Sequence, residues 1–218
     1  MRRSAFPIVL ALCAAALAGC HRGGAKAVDL VPPQNVKMDS ELLNDFYDEI
    51  ADYVKLRHKA VDVVPPLPAQ ATSEQIAARQ KALTLAILKY NRKAKQGDIF
   101  KPPIEAAFRR ILTEAFTGPE GRAMMDSLKQ GNPRLEGVPN PRDPSHEQIR
   151  NVTLRVNLLY PEDAPFSSVP GSLLRLIPAL PEQVRYRFIG RALIVRDTEA
   201  NVILDFIRDV VPDSSIPR

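Results

Sequence analysis

The hydrophobic period changes once along this chain, and that change most restricts what the chain can fold into. Up to about residue 130, apolar side chains recur every three or four positions, and from Val152 they recur every two. The first spacing lines one face of a helix, and the second alternates across a strand. Helical periods that all precede strand periods point to an α+β protein, not to alternating βαβ units. The expected architecture is a helical N-terminal part of about four helices. A small β-α-β-β-α unit follows, with a three-stranded sheet and two helices on one face.

The first predicted helix covers residues 40–64. Leu42, Phe46, Ile50, Tyr53, Arg57, Val61 and Val64 share one face, and all but Arg57 are apolar. Asp39 or Ser40 suits its N-cap. Pro65-Pro66-Leu67-Pro68 stops it, because proline bars the helical conformation from the residue before it. The PxxP spacing there reads as a stiff connector. A second helix is expected over residues 73–95, opened by a Thr72/Gln75 capping box. Its stripe is Ile76, Gln80, Leu83, Ile87, Tyr90 and Ala94. Lys89, Arg92, Lys93 and Lys95 crowd its last turns, where the helix dipole favours cations, and Gly97 ends it. A third helix over 103–117 turns Ile104, Phe108, Ile111, Leu112 and Ala115 inward. A fourth over 119–130 buries Met124 and Leu128 and leaves Met125 at the rim. Residues 131–150, with Pro133, Pro139, Pro141 and Pro144, read as a connector between a helical region (39–130) and a mixed region (151–218).

In the mixed region Val152, Leu154, Val156 and Leu158 alternate with polar residues, which predicts a half-buried strand ended by Tyr160-Pro161. Pro170 opens a short helix with Leu173, Leu174 and Ile177 inward. Residues 184–189 and 192–197 make a hairpin about Gly190 and Arg191, the glycine suiting the first central position of a type II′ turn. That register pairs Ile189 with Ala192, Phe188 with Leu193, Arg187 with Ile194, Tyr186 with Val195, and Arg185 with Arg196. It gathers Tyr186, Phe188, Leu193 and Val195 on one face. A last helix, capped by Asp197 or Thr198, is expected to turn Ala200, Ile203, Phe206 or Ile207, and Val210 inward.

The same register sets Arg185 opposite Arg196, with Arg187 on the same side. Like charges facing across strands are destabilising. A counter-charge is therefore expected: an internal carboxylate such as Glu182 or Asp197, or an external anion. Arg185, Arg187 and Arg196 are accordingly the candidate contact for an anion or a partner. Signals of catalysis are sparse. The three histidines, His21, His58 and His146, have no metal-ligand spacing, and the chain carries no GxGxxG, GxxxxGK[ST] or GxSxG. Asp45 with Glu49, and Asp48 with Asp52, share helix faces, but acidic residues early in a helix are expected from its dipole. No cofactor and no metal are implied, and no basic cluster with interleaved aromatics suggests nucleic acid.

The N-terminus sets the compartment. Arg2 and Arg3 precede an uncharged, largely apolar stretch from Ala5 to Ala18, too short to span a bilayer. This is the pattern of an export signal. Leu17-Ala18-Gly19-Cys20 resembles the lipobox of bacterial lipoprotein precursors. The resemblance implies cleavage before Cys20, acylation of that cysteine with three chains, and attachment to a membrane; two chains already make a stable anchor. Residues 1–19 would be the signal peptide. Residues 20–38 would be the lipidated cysteine and a tether of roughly 25 Å root-mean-square reach. His21 is not the aspartate that commonly retains such proteins at the inner membrane, so the periplasmic face of the outer membrane is expected. Cys13 would leave with the signal and Cys20 would carry lipid, so the mature chain would hold no thiol for a disulfide. The charge of +5 would fall to +3 without Arg2 and Arg3.

A second resemblance lies further along. It rests on Gly97 to Phe100, Phe108 to Arg110, Val156-Asn157, Tyr160-Pro161, Leu180-Pro181, Tyr186-Arg187-Phe188, Gly190-Arg191, Arg196-Asp197, Ala200-Asn201 and Asp205-Phe206-Ile207. Over roughly residues 97–211 they resemble an uncharacterised group of secreted or lipid-anchored bacterial proteins. The likeness implies the cell envelope and no activity. The expected function is a non-catalytic interaction or structural module on a lipid tether, its partner an envelope protein or an anionic polymer. The alternative is an enzyme or small-ligand binder using a cleft between the helical and mixed parts.

Overall fold

The computed structural model describes residues 36–129, 153–160 and 169–212. The expected signal and lipobox, most of the expected tether, the expected 131–150 connector and Val152 lie outside them. Four helices come first: α1 (Ser40–Asp62), α2 (Ser73–Tyr90), α3 (Pro102–Thr117) and α4 (Gly121–Lys129). A single turn, α5 (Gly171–Leu174), precedes three strands: β1 (Val184–Ile189), β2 (Ala192–Asp197) and β3 (Ile203–Ile207). The strands form one antiparallel sheet in the order β1-β2-β3. The fold is α+β.

The helix boundaries follow local chemistry. The Asp39 carboxylate accepts the N–H of Glu41 at the start of α1, and Thr72 and Gln75 close the reciprocal capping box of α2. α2 stops at Tyr90, five residues short of the expected end, so Arg92, Lys93 and Lys95 lie beyond the helix. Ile76 and Tyr90, expected on its inner stripe, are exposed, while Leu83 and Ile87 are buried. Met124 and Leu128 of α4 are buried.

Two expectations in the mixed region are corrected. The stretch expected as the first strand is irregular over residues 153–158, with one isolated bridge, Leu159 to Val202. Leu154 and Val156 do point inward, but Asn157 at φ 63° turns the chain out of the extended conformation. Its amide then donates to the Ile203 carbonyl (2.9 Å), and Ile203 donates back to Leu158 (2.9 Å). The segment thus docks on the start of β3 instead of forming a strand. The expected last helix is the strand β3. Every residue from Val202 to Ile207 is buried, so the run has no alternation to distinguish it from a buried helix. Asn201 at φ 57° makes the turn from β2. The unit is therefore α-β-β-β, without a closing helix.

The β1–β2 register is the expected one, pair by pair from Ile189↔Ala192 to Arg185↔Arg196. Gly190 has φ 55°, which its place in the tight turn requires. One sheet face, carrying Tyr186, Phe188, Leu193 and Val195, packs on the helices in the main core. A chain of aromatic contacts runs across that interface: Phe46 to Phe108 (5.4 Å between ring centres), Phe108 to Phe100 (5.1 Å) and Phe108 to Tyr186 (6.0 Å). The helical and mixed regions share this core. The opposite face is also apolar, with Ile189, Ile194, Ile203 and Phe206 covered by Leu154, Val156 and Tyr160.

Candidate functional site

Two carboxylates of the sheet are fully buried, Asp197 at the end of β2 and Asp205 in β3. A buried charge is tolerated only when paired and hydrogen-bonded, and both are. Arg57, the one polar member of the α1 stripe, donates from Nε to Asp197 Oδ2 at 2.8 Å. The Tyr53 hydroxyl donates to the same oxygen at 2.8 Å, and the Ala200 amide donates to Oδ1 at 2.7 Å. Arg57 also reaches Glu199 (2.5 Å), which Arg79 of α2 grips from the other side (2.9 Å). Burial works against the Arg57 charge, but Asp197 and then Glu199 outweigh it and hold its pKa above the ordinary value. Burial, reinforced by the Asp197 charge, drives the Tyr53 hydroxyl well above its usual range. The cluster fastens the β2–β3 turn to both α1 and α2.

Asp205 is held differently. The amides of Gly97 (3.0 Å), Ile99 (2.9 Å) and Phe100 (2.8 Å) converge on its carboxylate, and Phe206 adds its own amide (2.8 Å). Gly97 at φ 87° lets the loop curl around the acid. Burial pushes the Asp205 carboxyl above its usual pKa, against the pull of these four N–H groups. Nearby, the Asn201 amide donates to the Tyr160 carbonyl (2.5 Å), and Asn157 joins Asn91 (3.0 Å). Asp205 with residues 97–100, Asn201 with Tyr160, Asn157 with Asn91 and Asp197 with Ala200 thus tie distant segments together.

The hairpin arginines share one side of the sheet, as expected. Of the internal carboxylates proposed for them, Asp197 bonds Arg57 and Tyr53 and also acts on the neighbouring Arg196. Arg185 turns instead onto carbonyl oxygens, those of Pro181 (3.1 Å) and Val184 (3.0 Å). Arg187 donates to the Tyr186 carbonyl (2.9 Å), and the buried Arg196 stacks over the Tyr160 ring at 5.2 Å. Burial lowers the pKa of Arg187 and of Arg196, and each also feels a neighbouring arginine. Burial pushes Tyr160 up to about 12, against the pull of Arg196 and Arg187.

Two shallow hollows accompany these clusters. One of about 300 Å³ has Leu174, Pro178 and Leu180 for walls and Arg185 and Arg187 at its rim. The other, about 290 Å³, lies between Lys37, Ile111, Glu114 and Met124. His58 is exposed on α1, and His146 lies outside the described residues. The carboxylate pairs of α1 are on its solvent side, with Asp52 bound to Lys55 (2.8 Å) and Glu49 to Lys101 (2.5 Å). Among the described residues no group of three or more His, Cys, Asp or Glu side chains is placed to hold a metal ion. No described helix is long and apolar enough to cross a membrane. Comparisons of the chain with protein-family models, curated proteins and solved structures give no match.

The buried clusters left faint marks in the sequence. Arg57 interrupts an apolar stripe, and Asp205 interrupts the apolar run Val202–Ile207. A charge at a core position calls for a buried partner, and that signal pointed to both groups without naming the partners.

Proposed function

We propose that this chain is a lipid-anchored protein of the cell envelope, held by acylated Cys20, whose body is a non-catalytic interaction or structural module. The observation that carries the body's role is the use made of its buried polar groups. Asp197, Asp205, Arg57 and Asn201 are consumed in bonds between distant chain segments. General acid–base work needs a carboxyl that can exchange a proton with a substrate in a cleft. Asp205 is instead ringed by backbone amides, and Asp197 by an arginine, a tyrosine and an amide. The lipobox residues Leu17 to Cys20 support the anchor. The periplasmic face of the outer membrane follows from His21, and an envelope protein or anionic polymer is the partner. Detergent-phase partitioning of the wild type and of Cys20→Ala, expressed in bacteria, tests the reading. The wild type should enter the detergent phase, and the variant should remain unprocessed or aqueous. A variant that still behaves as an acylated protein refutes the anchor.

A further inference from the structure

α1 and α2 form an antiparallel hairpin. At one end, late α1 and early α2 meet, since Arg57 and Arg79 share Glu199. At the other end, the chain leaving α2 returns to early α1, where Phe100 stacks on Phe46 and Lys101 bonds Glu49. α1 spans about 33 Å at 1.5 Å per residue. The C-terminal end of α2 therefore lies at the end of the hairpin where the chain from Cys20 arrives, through Val36 to Asp39.

From Arg79 to Lys95, α2 and the turn after it carry charges of one sign. From Gln75 to Gly97 the sequence holds no acidic residue. Lys81, Lys89, Arg92, Lys93 and Lys95 are all exposed, and no described ion pair engages any of them. Lys81, Leu85 and Lys89 are four residues apart and share a face. Leu85 is 59% exposed, so a large apolar group stands among the cations of that face. The helix dipole accounts for Lys89 in the last turn but not for Lys81, or for Lys93 and Lys95 beyond the helix. Of the neighbouring carboxylates, Asp52 pairs with Lys55 and Glu49 with Lys101, Asp98 accepts the Lys95 amide (2.9 Å), and Asp45 and Asp48 make no described ion pair.

We infer that α2 from Lys81 onward and the turn after it form a docking surface for an anionic bilayer, with Lys81, Lys89, Arg92, Lys93 and Lys95 on the headgroups and Leu85 in the interfacial layer. Long basic side chains lay their methylene stems along apolar surface and keep the charge at the headgroups. The inference rests on the proposed tether for its orientation: acylated Cys20 would hold this end towards the membrane, and the patch would lay the body against it.

The test uses residues 21–218, which contain every described element but no acylated cysteine. Co-sedimentation with phosphatidylcholine vesicles, with and without phosphatidylglycerol, is measured at low and raised salt. The wild type should bind only the anionic vesicles and release as salt rises. Each cation removed should weaken binding about fivefold, so Lys81→Gln, Lys89→Gln, Lys93→Gln and Lys95→Gln together should weaken it more than a hundredfold. Leu85→Ser should weaken it further at constant charge. Thermal melts confirm that the variants are folded. No binding by the wild type, or equal binding by the folded quadruple variant, overturns the inference. So does binding to a soluble polyanion such as heparin with no binding to vesicles. Because this protein lacks the lipid, the outcome is independent of whether Cys20 is acylated in cells.

Discussion

Arg57 and Asp197 stand 140 positions apart in the chain and meet in a buried ion pair, Nε to Oδ2 at 2.8 Å. One comes from late in the first helix and the other from the end of the second strand. Their side chains are 8% and 0% exposed. Removing one partner of such a pair leaves the other charge buried and uncompensated. Arg57→Ala is expected to lose about 3–5 kcal/mol of stability in urea unfolding. A double-mutant cycle with Asp197→Ala should show strong coupling, the second substitution costing much less than it does alone. Additive losses would mean that the two residues act separately.

Asp205 should be as sensitive, for a different reason. Asp205→Ala strands the amides of Gly97, Ile99 and Phe100 in a site closed to water. The stranding costs about 1–3 kcal/mol for each donor that finds no new partner. Hydrogen exchange should quicken first at residues 97–100, before α1 or α3 is affected. Uniform quickening across the body would show that the loop is not an independent consequence of Asp205.

How far the sequence reached depends on what each segment packs against. The β1–β2 hairpin was legible because Gly190 fixes its turn and only one register collects Tyr186, Phe188, Leu193 and Val195. α1 and α3 were legible because each has one buried face and a local stop in proline or glycine; α2 was legible at its Thr72/Gln75 start but not at its end, which falls at Asn91 well before Gly97. β3 was not, because both of its faces are buried and Val202–Ile207 shows no alternation. The Leu154 stretch failed for the opposite reason: its alternation is real, but Asn157 breaks it. The arginine side was placed correctly. One of the carboxylates expected near it, Asp197, bonds Arg57, a contact across the fold that spacing along the chain does not express.

Gly121 has no room for a side chain. A Cβ there would lie 1.9 Å from the Phe116 carbonyl oxygen, so α4 would have to move away from α3. Gly121→Ala should cost about 1–3 kcal/mol, the range for overpacking a close contact. Gly118→Ala meets the Glu114 carbonyl oxygen only at 3.2 Å and should cost less. Thermal melts of the two variants give the comparison, and an equal or larger loss at Gly118 would contradict this geometry.

Alkaline pH should expose the buried phenols. Burial raises Tyr160 to about 12, and raises Tyr53 and Tyr186 well beyond the ordinary value of 10.0. A pKa raised in the folded state means that the stability contribution is full below the unfolded pKa and is lost as pH rises through the folded one. Stability should therefore fall between pH ~10 and pH ~12, and Tyr160→Phe should fall less. Absorbance at the tyrosinate band should show these phenols ionising late. Ionisation of every tyrosine near the ordinary value, with the body still folded, would contradict the burial described.

The central claim is the anchor, and the mass of the mature N-terminus tests it most directly. Protein purified in detergent from bacterial envelopes should begin at Cys20, and that residue should carry the mass of three acyl chains on a glyceryl thioether and an acylated amine. A mature protein beginning at Met1, or one cut elsewhere with Cys20 unmodified, would contradict the account.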